Sequence, residues 1–360
     1  MNEGMKPPAP SRSDFGRLPD GTPVERFVLD DGTVRVAVLT YGGILQQVLA
    51  PDREGQRADV VLGFDDLAGY LTGQPCHGAT IGRFANRIAR GVFPLNGTTY
   101  QLDLNFGEHH IHGGAGAYRE RVWEAEALAG ELGVRLRLTS PDGDCGYPGA
   151  LDVTVGYRLA DGVLQVDYTA TSTEPAGGLD TVVNLTNHTY FNLAGHDAGP
   201  VGDHRVEVPA GRYVVAGPGL IPTGEFAPVD GTPLDLRVPR RFAEGWDAPH
   251  DQIVTAGGYD HSWVLDGAAG SPVPAARVVE PTSGRVLEVA TDQPASHVYS
   301  GNMMEPLFAG KGGHVYGRRE GFCVETQHFA DSPNRPEFPS TVLAPGETFR
   351  TTTSFRFTTG

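Results

Sequence analysis

The sequence predicts an all-β fold, a large antiparallel β-sandwich with few short helices, on three observations. Apolar residues recur at every second position in several separate stretches. Glycine (49) and proline (28) fall between those stretches, and helical spacing is scarce. Period two is the strand repeat, because successive side chains leave a pleated strand on opposite faces. Gly and Pro supply the turns that many short strands require. The glycines show no period of three, which excludes a collagen-like chain, and 39% apolar with 9% aromatic residues is enough for a substantial core.

Residues 1–13, rich in Pro, Ser and charge, are expected to form a loose tail. Residues 14–360 are expected to form one domain, because neither a linker nor an internal repeat divides them. Val34, Val36 and Val38 share a parity, as do Val134, Leu136 and Leu138. Asp65–Leu71 has room for one short turn of helix. The clearest hairpin joins Leu151-Val153-Val155-Tyr157-Leu159 to Leu164-Val166-Tyr168-Ala170 through Asp161-Gly162. Near the end, a turn at Pro345-Gly346 leads into Phe349, Phe355 and Phe357, all of one parity.

Charge and cysteine usage restrict function. A net charge of −16, from 28 basic and 44 acidic side chains, opposes nucleic acids and anionic membranes, and no Lys/Arg-rich stripe offsets it. Cys76, Cys145 and Cys323 are far apart and form no CxxC pair. Neither a zinc knuckle nor a disulfide framework is indicated, and a reducing compartment is the simpler reading. The N-terminus has no apolar signal region and no stretch approaches the roughly 18 apolar residues of a membrane span. A cytoplasmic protein is expected.

Several segments carry candidate chemistry. On a strand, His110 and His112 of His109-His110-Ile111-His112 would point the same way, as a metal pair would. No nearby Cys or HExxH-type partner supports that, and structural histidines are the alternative. His188, between Asn187 and Thr189, is a natural proton donor if it lines a cleft and a hydrogen-bonded structural residue if it does not. Glu325 interrupts the β-prone Phe322-Cys323-Val324-Glu325-Thr326-Gln327. Facing solvent it is unremarkable; facing inward it needs a partner or a purpose. Arg83, Asn86 and Arg87 offer donor forks suited to neutral polyols, with a structural ion pair as the competing view. Tyr259-Asp260-His261-Ser262-Trp263 sets a carboxylate among aromatics, as expected where sugar hydroxyls are gripped and a sugar C–H face is stacked.

Taken in order, these segments resemble the aldose 1-epimerase family. The resemblance runs through Asp59–Phe64, Ile81–Ile88, Ile111–Gly114, Pro141–Gly149, Leu185–Gly195, Ile221–Gly224, Tyr259–His261 and Val324–Gln327. It implies a β-sandwich whose concave cleft holds a free aldose, and interconversion of α and β hexose anomers by ring opening and reclosure. It further implies Glu325 as general base, His188 as general acid and His112 as a second histidine at the reacting centre. Asn86, Arg87, Tyr190, Asp260 and His297 would hold the sugar. No metal, nucleotide or redox cofactor is implied, and a monomer or homodimer would suffice.

Two positions depart from the family pattern. Ser262 stands where members commonly have Asn, a change expected to affect only packing. His297 stands where some members have a sugar-contacting Gln. Three alternatives stay open at this point: an epimerase of phosphorylated hexoses, which needs an extra basic pocket; a glycosidase, which needs two carboxylates about 5–9.5 Å apart; and a non-catalytic sugar-binding sandwich, which would lack the acid or the base.

Overall fold

A computed structural model describes residues 9–72, 76–267 and 270–360. The period-two stretches become its strands. Leu151–Ala160 and Val163–Ser172 pair in antiparallel register from Ala160↔Val163 to Leu151↔Ser172. Asp161 (φ 50°) and Gly162 (φ 72°) close the hairpin in the left-handed region, as a type I′ turn requires. Every apolar residue of the predicted alternation in this hairpin is buried, from Leu151 to Ala170.

This hairpin sits within a nine-stranded antiparallel sheet. Its order is Glu124–Ala127, Gly133–Ser140, Leu151–Ala160, Val163–Ser172, Thr348–Thr359, Arg285–Thr291, Val273–Val279, Arg205–Glu207 and Arg240–Arg241. The C-terminal strand Thr348–Thr359 therefore lies at the centre, with Phe355 and Phe357 buried and Phe349 half-buried. Two five-stranded sheets cover the inner face. One is an N-terminal meander in sequence order, from Ser11–Arg17 to Arg57–Asp59. The other runs Pro222–Pro228, Arg212–Ala216, Asp260–Val264, Ala295–Tyr299, Cys323–Gln327. One apolar cluster joins all three, with Val36 and Val48 from the meander, Val155 and Phe355 from the large sheet, and Trp263, Val298 and Val324 from the third. The architecture is all-β, sheet packed on sheet.

One local expectation changes. The tail was expected to reach residue 13, but Ser11–Ser13 already belong to a strand, with Ser11 opposite Val28 and Ser13 opposite Arg26; residues 1–8 lie outside the described residues. Pairing with the meander edge satisfies backbone groups that a loose tail would leave to water. The expected turn of helix is Leu67–Tyr70, capped by Asp66, whose Oδ1 accepts from the Gly69 N–H at 3.0 Å. The described residues also contain short helices at Phe242–Gly245 and Asp251–Ala256. The second is stopped by Gly257 at φ 67°.

Candidate active site

One wall of the site comes from strand parity. Thr326 Oγ1 hydrogen-bonds Thr353 Oγ1 of the large sheet at 2.6 Å, and Val324 belongs to the central core. Even positions of Cys323–Gln327 thus face the core, and Cys323 and Glu325 face the opposite side. The ladder carries this across three strands. Ser262, His297 and Glu325 lie directly opposite one another in one row, and Asp260, Tyr299 and Cys323 in the next. All six are buried.

Loops and short strands form the facing wall. His188 ends Thr186–His188, which pairs with Ala79–Ile81. Arg87 and Ile88 pair with Ile111 and His110. The His112 N–H donates to the Asn86 carbonyl at 3.1 Å, and the Asn86 N–H donates to His112 Nδ1 at 3.2 Å. Asn86 (φ 64°) and His112 (φ 53°) are both left-handed, a conformation Asn tolerates better than most residues. Gly113 follows at φ 82°, and a Cβ there would lie 2.1 Å from the Gly82 carbonyl oxygen, so only glycine lets the two loops meet.

Between the walls lies a cavity of about 330 Å³, lined by Asn86, Arg87, His112, His188, Tyr190, Asp260, His297 and Glu325. The structure thus brings together all eight residues that the family resemblance pointed to. His188 Nε2 stands 3.6 Å from Glu325 Oε1, and its Nδ1 stands 3.6 Å from Cys323 Sγ. Glu325 Oε2 has no hydrogen-bond partner among the described residues, although the side chain is only 2% exposed. A buried carboxylate oxygen without a partner is costly, so this atom is set to receive one from a ligand. The alternative of an outward, solvated Glu is overturned. The Tyr190 ring lies 5.0 Å from His188 and 4.9 Å from His77.

The remaining polar groups form a chain. Arg87 Nη2 donates to Asp260 Oδ2 at 3.1 Å, and His297 Nε2 meets Asp260 Oδ1 at 2.8 Å. Burial alone would raise the Asp260 carboxyl, but Arg87 and His297 outweigh it and hold the group well below the usual carboxylate range. Asn86 Oδ1 accepts from the Arg87 backbone N–H and from Nη1, which turns the Asn86 amide NH2 toward the cleft. His112 is held far below the ordinary imidazole range by desolvation first and by His188 second, so it is neutral.

His112, His188 and Glu325 each place one ligand-type atom within 4.8 Å of the others, a spacing a divalent cation would use. The tautomer of His112 opposes it. Its Nδ1 accepts from Asn86, so the neutral ring carries its proton on Nε2, and the cleft receives a donor instead of a ligand. The His110–His112 pairing that a continuous strand would give does not form. The strand ends at Ile111 and the left-handed His112 breaks the alternation, while His110 Nε2 bonds the Tyr147 hydroxyl at 2.7 Å.

Two other expectations are corrected. Arg83 is 2% exposed and structural; its Nη1 donates to the carbonyls of Pro148 and Gly149 and its Nη2 to Ser140 Oγ. Tyr259 and Trp263 stack on no ligand, because both are core residues whose polar atoms bond Pro233 and Leu234 carbonyls. Aromatic lining comes instead from Phe106, Tyr190 and Tyr299. Sequence reasoning did not single out Phe106, Tyr299, Cys76, Arg119 or Met303, which also line the cavity. Tyr299 alone had a signal, the parity it shares with His297.

Comparison with known proteins agrees with this geometry. The family model described as aldose 1-epimerase matches residues 25–356. The galactose mutarotase of Homo sapiens is 43% identical over 348 residues, covering 96% of this chain and 98% of that protein. The aldose 1-epimerase of Escherichia coli (strain K12) is 33% identical over 349 residues, covering 94% and 96%. The crystal structure of galactose 1-epimerase from Lactobacillus acidophilus NCFM superposes with a TM-score of 0.84 at 28% identity, covering 98% of this chain and 99% of that one. The match extends over nearly the whole chain, strands and cleft loops alike, and the chain belongs to the aldose 1-epimerase family.

Proposed function

We propose that the chain is an isomerase that interconverts the α and β anomers of free hexoses such as glucose and galactose by acid/base ring opening and reclosure. Family membership and the names of its relatives, galactose mutarotase and aldose 1-epimerase, support the activity. The observation that carries the mechanism is the buried Glu325–His188 pair, with one Glu325 oxygen unpartnered toward the cleft.

Glu325 takes the proton of the C1 hydroxyl. The C1–O5 bonding pair moves to the ring oxygen as His188 gives it a proton, which leaves the open-chain aldehyde. Rotation about C1–C2 presents the other carbonyl face, and the two residues exchange roles for closure. Each positioned proton-transfer group is worth about 10²–10⁴-fold in rate. Neutral His112 donates its Nε2–H to an oxygen at the reacting centre. Asn86, Arg87, Tyr190 and Asp260 set the hydroxyls in register, and His297 does so through its bond to Asp260. The chemistry consumes no metal, nucleotide or redox equivalent.

A glycosidase reading fails on Asp260. Both of its oxygens are already committed, Oδ2 to Arg87 and Oδ1 to His297, which leaves it neither a proton to give nor a free oxygen to attack C1, and His188 would have no role. A phosphorylated substrate needs free cations, whereas Arg119 at the cleft donates to the His112 carbonyl and pairs with Glu120. We read the described fold from Ser11 onward as one domain, supported by the shared core, acting as a monomer or homodimer. Three free cysteines support a reducing, cytoplasmic setting; among the described residues no helix is long and apolar enough to cross a membrane. The test is polarimetry of freshly dissolved α-D-glucose and α-D-galactose. The protein should accelerate the approach to the equilibrium rotation for both, and an unchanged rate for both would refute the assignment.

A further inference from the structure

The two departures from the family pattern, Ser262 and His297, lie far apart in sequence and touch in the fold. They face each other across neighbouring strands, and Ser262 Oγ stands 2.9 Å from His297 Nδ1. Neither is free to turn into open space, since Ser262 is 7% and His297 5% exposed.

We propose that Ser262 is a positioning residue: through the His297 ring it locks the Asp260 carboxylate in the orientation that reads the sugar hydroxyls. The inference rests on the cleft being the sugar site. The logic is one of donors and acceptors. Asp260, ion-paired with Arg87, only accepts, so His297 Nε2 must carry a proton to meet Oδ1 at 2.8 Å. When the ring is neutral its Nδ1 has a bare lone pair, and the Ser262 hydroxyl supplies the hydrogen it needs. Both ring nitrogens are thereby committed to protein partners. With both so used the ring has no N–H left for a sugar, unlike the Gln that some family members carry there, whose amide keeps donors and an acceptor for ligand.

His297 is therefore a strut and Ser262 its anchor. The hydrogen-bonded chain runs Ser262 Oγ–H to His297, His297 to Asp260 Oδ1, Arg87 to Asp260 Oδ2 and Arg87 to Asn86 Oδ1. Its open end is the Asn86 amide NH2, 3.5 Å from His297 Nε2. Removal of the Ser262 hydroxyl leaves a buried nitrogen without a partner. The Nε2–H bond to the Asp260 carboxylate still holds the tautomer, but the ring has lost the contact at Nδ1 that fixes its plane and is free to tilt. The second restraint on Asp260 loosens. An interaction of this kind is made alike with ground and transition states, so its loss raises KM and spares kcat.

The test compares Ser262→Ala, Ser262→Thr and Ser296→Ala. Ser296 lies next to His297 on the core side of the same strand, is buried, and its Oγ has no partner among the described residues. Ser262→Ala should raise KM for D-galactose about five- to tenfold, the loss expected for one buried nitrogen left unpaired, with kcat within about twofold. Ser262→Thr, which keeps the hydroxyl, should return KM toward wild type, and Ser296→Ala should leave it unchanged. Nitrogen-15 spectra at about pH 8, where an ordinary imidazole is neutral, should show His297 as the Nε2–H tautomer in both proteins, with the Nδ1 resonance moved downfield in Ser262→Ala by the loss of its hydrogen bond. Wild-type KM and an unmoved Nδ1 resonance in Ser262→Ala would overturn the proposal, as would a KM rise that Ser262→Thr fails to reverse. The resonance is read without sugar. It decides the strut even if the wild type fails to accelerate mutarotation, an outcome that would refute the functional reading alone.

Discussion

Acidification should unfold this protein through histidines buried in the neutral form, and His77 should account for a definable share. Burial pushes the His77 imidazole down to about 3, and those of His204 and His261 to about 4 each. Unfolded, each would titrate near about 6.5. Between those limits the unfolded chain binds more protons than the folded one, so stability falls as pH drops below about 6.5 and the loss levels off only near the folded values. At pH 5 each such group removes about 2 kcal/mol relative to pH 8, so the three together remove about 6 kcal/mol. That is a large part of the 5–15 kcal/mol typical of a domain. Asp260, held below the carboxylate range, acts in the opposite sense, but its contribution is lost only as pH falls below about 4. It leaves this window unchanged. His77 isolates the effect because neither ring nitrogen has a hydrogen-bond partner among the described residues, and it packs against the rings of Phe64, Tyr190 and Tyr316. His77→Phe keeps a ring of similar size and removes the titration. Urea unfolding at pH 8 and pH 5 measures the difference for both proteins, and His77→Phe should narrow it by about 2 kcal/mol. An equal pH-dependent loss in wild type and His77→Phe would refute the linkage.

Glu325→Gln and His188→Asn should each lower turnover by at least about a hundredfold with unfolding midpoints near wild type; a folded Glu325→Gln enzyme with normal turnover would remove the base assignment. The pH dependence of kcat/KM should be bell-shaped, as an acid and a base acting in one step require. Binding of methyl β-D-galactoside, measured by calorimetry at about pH 8, should be lost when the Asp260 carboxylate, which Arg87 and His297 hold ionised, is removed in Asp260→Ala; wild-type affinity in that variant would take Asp260 out of the sugar site. The same glycoside should be neither anomerised nor hydrolysed, since its C1 oxygen has no proton for Glu325, and release of reducing sugar would argue for glycosidase chemistry. Exhaustive chelation should leave mutarotation unchanged, because His112 offers the cleft a donor; activity lost to EDTA and restored by zinc would reverse that conclusion.

The sequence by itself determined what depends on short-range periodicity. The hairpin across Asp161-Gly162 could be read residue by residue, because turn chemistry and period-two burial act over a few positions and agree. The short helix at Leu67–Tyr70 fell inside the stretch Asp65–Leu71 read as one turn, and the family resemblance pointed to the eight cleft residues. Tertiary structure decided what depends on which face meets which partner. Glu325 points to the cleft and not to solvent because Thr326 is claimed by Thr353, 27 positions away. His110 leaves the site because one left-handed residue at His112 breaks the alternation, and Arg83 leaves it because distant carbonyls use its guanidinium. Ser262 joins it only because sheet register sets it against His297, 35 positions later. Local sequence fixes the conformation of a strand, but the burial and hydrogen bonding that give a polar side chain its role come from residues brought together by folding.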